Sequence, residues 1–182
     1  MASLNNIDKI LQAKLQKAVG KLPLVLGNEA VNWTKGNFSR QGFPGKSFER
    51  WPPRKAGTKR NSGRALLVDS GRLKRSVRLI STAPLQAKFG TDVPYASAHN
   101  NGFKGTVNVS AYKRAKIGTI KASTGKSGQK FRTKKTITGV GNVSAHQRNM
   151  NLPRRRFIGY SPVLQSILRR KAIIIIGREL KS

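Results

Sequence analysis

A chain that carries 37 Lys and Arg against only Asp8, Glu29, Glu49, Asp69, Asp92 and Glu179 cannot neutralise itself by internal ion pairs. Its formal net charge of +31 leaves most basic groups to solvent, counterions or another macromolecule. Such a field attracts polyanions, and neutralising phosphates releases condensed counterions, so any affinity for nucleic acid must fall with salt. Nucleic acid, an acidic protein surface and an anionic membrane all satisfy the charge taken alone. An apolar fraction of 37% over 182 residues suffices for the core of one domain, and no linker announces a second.

The absence of cysteine removes disulfides, thiolate catalysis and Cys-ligated zinc, and fits a reducing compartment. MASLNNIDKI at the N-terminus lacks a cationic region followed by an apolar run, so no secretory signal is expected. The most apolar run, AIIII at 172–176, is far below the roughly 20 residues of a spanning helix. A soluble protein made in the cytosol, with no membrane partner, is the expectation.

From Ile7 the positions Ile10, Leu11, Leu15, Ala18, Val19 and Leu22 recur at helical spacing and predict an amphipathic helix. Pro23 should break or kink it, with a second helical piece ending near Gly36. The Gly-, Pro- and cation-rich residues 39–64 read as an extended loop, anchored by Trp51. Asp69 or Ser70 is a natural N-cap for a helical turn through Leu73. Alternation at Val77, Leu79 and Ser81, a turn at Pro84 and a return over 85–90 predict a hairpin. Tyr95 to His99 reads as a short helix stopped by Asn-Asn-Gly.

Residues 104–148 contain no carboxylate and many Lys, Arg, Gly, Ser and Thr, with β-prone pieces at 106–112 and 134–140. A long basic hairpin or loop is expected there. After Pro153, an extended RRRFIG leads to Ser161-Pro162, an N-cap followed by proline at the first helical position. The helix that follows has more apolar residues than one face holds. Part of that surface is expected to meet another subunit, although a buried core helix would look the same.

Catalytic and metal-binding patterns are thin. TGKS at 124–127 ends like a phosphate loop, but Ile120 stands where the first glycine is required. His99 and His146 have no Cys or carboxylate cluster beside them, so no metal or other cofactor is expected. Asp92, Ser97 and His99 form a nucleophile, base and orienter only on paper, and capping is the simpler work for them. Lys113, Arg114, Lys116, Lys121, Lys126, Lys130, Arg132, Lys134 and Lys135, with Tyr112 and Phe131 interleaved, suit phosphate contact and some base stacking. They equally suit a solvated cationic face turned to an acidic protein.

Four pieces in order, SFERWPPR, LLVDSGRLKRSV, FGTDVPYASAHNNG and LPRRRFIGYSP, resemble the phage virion-morphogenesis or tail-completion family of Mu G-like, head-tail-joining proteins. Trp51 matches its tryptophan-proline loop. Ser70, Gly71, Leu73 and Ser76 match its second element, and Gly90, Tyr95, Ala96, His99 and Gly102 its third. Pro153, Arg155, Phe157 and Gly159 match the last, with Phe157 and Ile158 docking and the arginines facing outward.

The resemblance implies a single α+β domain over 1–182, with an N-terminal helix, a central antiparallel sheet, a basic insertion at about 104–148 and a C-terminal helix. It implies a non-enzymatic subunit of the neck or tail of the virion, assembled in the host cytoplasm. There it would form a hexamer-like ring with itself around the DNA channel and contact neighbouring connector and tail proteins, with non-specific contact to packaged DNA. A non-specific nucleic-acid-binding protein is the alternative that the charge alone supports.

Overall fold

The computed structural model describes residues 4–54, 63–120 and 134–181. They form an α+β protein with a long helix at each end and small antiparallel sheets in the middle. The chain divides into two compact units, Met1–Phe103 with Leu152–Ser182, and Lys104–Asn151.

In the first unit, α1 runs unbroken over Leu4–Arg40 with Pro23 inside it, where the sequence predicts two pieces. An interior helical proline costs about 3 kcal/mol, through a lost amide donor and a clash with the carbonyl four residues back. The second half of α1 recovers more than that by burying Val31, Trp33 and Phe38, since each large apolar side chain contributes about 1.5–3 kcal/mol. Gln41, at φ 55, ends the helix in the left-handed region. Its side-chain amide donates to the carbonyls of Phe38 and Leu66, and its Oε1 accepts the Leu66 amide, so the helix end is tied to the loop at 63–71.

The other long helix, α4 (Pro162–Lys181), begins as its sequence predicts, with Ser161 Oγ accepting the Leu164 amide at 3.2 Å. It lies antiparallel to α1: Leu164 packs with Ala30 and Trp33, Lys171 pairs with Glu29 at 2.8 Å, and Glu179 pairs with Lys17 and Lys21.

Two hairpins rest on α1. The first pairs β1 (Gly42–Pro44) with β2 (Phe48–Arg50), and the second pairs β3 (Arg78–Ala83) with β4 (Gln86–Gly90). Gly27 makes room for the second, because a Cβ there would lie 2.5 Å from Leu79 Cδ1 and 3.0 Å from the Ala87 Cβ. Between the hairpins, Gly71 at φ 74 leads into the short α2 (Arg72–Ser76). Neither Asp69 nor Ser70 occupies the cap position expected of it: Asp69 pairs with Arg64, and Ser70 Oγ accepts the Arg72 amide at 3.4 Å. After α3 (Ala96–Asn101), Gly102 turns at φ 81 in a space where a Cβ would sit 3.2 Å from the Arg154 amide nitrogen.

The second unit is built of ladders. β5 (Phe103–Val109) pairs with β8 (His146–Leu152), and β6 (Tyr112–Ile120) pairs antiparallel with β7 (Lys134–Val143). The β6–β7 register runs from Tyr112 opposite Val143 to Ile120 opposite Lys134, with a shift between Lys116 and Ile117. The described strands thus make four two-stranded ladders and not one continuous sheet. In the first unit the reason is that β1, β3 and β4 each pack on α1, with Phe43 buried and Leu79 and Phe89 partly buried, so the helix does the collecting that a shared sheet would otherwise do.

Candidate functional site

Residues 153–159 form an irregular extended segment threaded through the first unit, and nearly every bond that holds it comes from a side chain. Trp51 Nε1 donates to the Arg156 carbonyl at 2.7 Å, and Asn37 Nδ2 donates to the Phe157 carbonyl at 3.1 Å. Asn100 Oδ1 accepts the amides of Phe157 and Ile158, both at 3.0 Å, while the Arg155 amide donates to the His99 carbonyl at 2.8 Å. A buried extended backbone has to place its polar groups somewhere. Here two asparagines and a tryptophan take the place of a neighbouring strand.

Phe157 is the apolar centre of this joint. It is completely buried, 5.2 Å from the Phe38 ring, in one cluster with Trp51, Leu73, Val77, Val93 and Ala96. Of the three arginines, Arg154 is exposed and Arg156 lies over the Phe43 ring at 4.2 Å. Arg155 is buried at 7% exposure, which corrects the expectation that the arginines face outward. Its Nε and Nη2 donate to the carbonyls of Pro52 and Pro53 at 2.9 and 3.0 Å. Prolines lack an amide proton, yet their carbonyls still need donors; a planar guanidinium fork meets two successive ones at once.

Beside the joint is a cavity of about 430 Å³ walled by the turn from Leu66 to Leu73 and by Arg54, Tyr95, His99 and Arg155. The Tyr95 and His99 rings meet edge to face at 5.8 Å. His99 Nδ1 is buried without a hydrogen-bond partner. Burial, and then the Arg155 charge, hold the imidazole below its ordinary range, so it is neutral at pH 7. Arg155 in turn binds its proton less tightly than a free guanidinium, through burial first and then the charge of Arg54.

The structure therefore brings together residues from all four matched sequence elements. Trp51, Leu73, Ala96 and Phe157 share the core, and Ser70, Gly71, Leu73, Tyr95, His99 and Arg155 share the cavity wall. Ser76 Oγ bonds to the Leu73 carbonyl and Thr91 Oγ1, bracing α2. Gly102, Pro153 and Gly159 shape the backbone at the segment's entry and exit. The paper triad does not form: Asp92 is exposed and turned to Arg78 at 3.1 Å, and no hydrogen bond joins it to His99 or Ser97 among the described residues. Among those residues, no group of His and carboxylates is placed to hold a metal ion.

In the second unit, Lys113, Arg114 and Lys116 are exposed on β6, and Lys134 and Lys135 lie on β7. Lys121, Lys126, Lys130 and Arg132, with the TGKS motif, lie outside the described residues. Asn37, Asn100 and Arg54 are the site residues that pattern reading passes over. The one available signal was Asn37, a polar residue at helical spacing from Ala30, Trp33 and Thr34 on the buried face of α1.

The model of a family described as the phage virion morphogenesis family matches residues 2–170 of the chain. No curated protein and no solved structure matches it.

Proposed function

The chain belongs to the phage virion morphogenesis family and has a phage structural or assembly role; from that premise we propose that it is a tail-completion or head-tail connector subunit, closing with copies of itself into a hexamer-like ring around the DNA channel. The observation that carries the reading is apolar side chains left in solvent on both long helices. Ile10, Leu11 and Leu24 of α1 are half exposed, as is Ile174 of α4, and Ile173 is 70% exposed. Apolar surface in contiguous patches marks an interface more often than a free surface. A head-to-tail contact between two different helical faces closes into a ring when the rotation permits. A central channel holding DNA would also relieve the repulsion among subunits that each carry +31.

Light scattering on the purified chain at physiological salt tests this. A single closed oligomer is expected, and a monomer at every concentration would sink the ring. In infected cells lacking the protein, unjoined heads and tails are the expected phenotype.

One observation favours a second reading, non-specific nucleic-acid binding. The unit Lys104–Asn151 contains no carboxylate, and Lys113, Arg114 and Lys116 stand exposed along one strand. Duplex binding that lengthens with the DNA and survives physiological salt would support that reading, and negligible binding would dispose of it.

A further inference from the structure

The cavity beside the joint holds a charge imbalance that the fold does not need. Arg155 gives two of its five N–H donors to the neutral carbonyls of Pro52 and Pro53, and no carboxylate among the described residues pairs with its charge. The Arg72 side chain, exposed on the same wall, has no partner among the described residues. Asp69 is the one carboxylate on the wall, and Arg64 holds its Oδ1 at 2.6 Å. Positive charge gathered in a partly desolvated hollow is unfavourable, and an entering anion would recover that energy.

The same wall also carries apolar surface, from Leu66, Leu67, Val68 and the Tyr95 ring. A DNA phosphate would satisfy the guanidinium groups but bring nothing to cover these side chains. A carboxylate flanked by aliphatic residues would do both, and the volume falls within the range of small-ligand sites. The carboxylate is not easily supplied by a second copy. Of the chain's six, Glu29, Asp69, Asp92 and Glu179 are already in ion pairs, leaving Asp8 and Glu49.

We propose that this cavity is a socket for an acidic, apolar-flanked peptide segment of a different protein, with its carboxylate between Arg72 and Arg155 and its aliphatic neighbour on Leu67 and Val68. The site does not depend on ring closure, because all of its wall lies within one copy of the first unit.

The two histidines make the test simple, since His99 is on the wall and His146 lies in the second unit. In the full-length protein, a short acetylated peptide of alternating leucine and glutamate should move the His99 ring signals saturably in NMR and leave those of His146 still. A leucine-glutamine counterpart should move neither. R72A should keep the melting temperature and weaken peptide binding about tenfold, the scale of one charge-assisted hydrogen bond. The proposal is overturned if His99 does not respond, if both histidines move together, or if the glutamine peptide binds equally well. It is also overturned if R72A binds as the parent does, or if a short DNA duplex moves His99 at lower concentration than the peptide.

Discussion

The two units of this chain are held by different physics. In the first, Phe38, Phe43, Val77 and Phe157 are almost wholly removed from water, and the side chains of Asn37 and Trp51 reach backbone partners more than a hundred residues away in sequence. In the second, no described side chain is buried, and Ile117 and Ile137, opposite each other on β6 and β7, are 64% and 68% exposed. Backbone ladders, not a core, give that unit its form. The contrast teaches that basic surface and structural specificity have been separated: Lys113, Arg114 and Lys116 stand exposed with no buried side chain around them among the described residues of their unit, whereas Arg155 is built into the joint.

The largest effect that could break this contrast is F157A. Emptying a fully enclosed aromatic site should cost about 3–5 kcal/mol in denaturant unfolding; a loss no greater than that from I117A would erase the distinction. R155A comes next, at about 2–3 kcal/mol, because the carbonyls of Pro52 and Pro53 lose charged donors. R155K should recover only part of it, since an ammonium cannot present a planar fork. For I117A itself, an exposed cross-strand pair predicts a loss of about 0.2–1 kcal/mol.

Acidification sharpens the comparison through His99. Its folded-state affinity for protons is lowered, so the unfolded chain protonates first as pH falls below about 6.5. Stability present at pH 7 should therefore decline with falling pH across that range, and H99Q should flatten the decline in melting temperature. Smallest in stability is the triple change K113A, R114A and K116A, expected to leave the melting temperature within error. If DNA is bound through this unit, the same change should reduce the salt slope of binding by about 2–3.

Much of the architecture was legible because it depends on local pattern. The Ser161-Pro162 start of α4, the hairpin around Pro84 and the short helix stopped at Gly102 each follow from residues adjacent in sequence. Pro23 misled because local propensity was overridden by burial that only the folded neighbours of α1 supply. Arg155 misled for a related reason. Three arginines in a row look alike until the Trp51-Pro52-Pro53 loop selects one of them.

By itself, then, the sequence determined the excess of cations, the two terminal helices, the α+β class and the family, because charge balance, apolar periodicity and capping signals act within a few residues of one another. The tertiary structure alone decided that Asn37 of α1, Trp51 of the loop after β2 and Asn100 of α3 hold an extended segment, and that a cationic hollow forms beside it. Those contacts join residues 57 to 120 positions apart, and no spacing rule reaches that far when each partner is a backbone atom that any residue would provide.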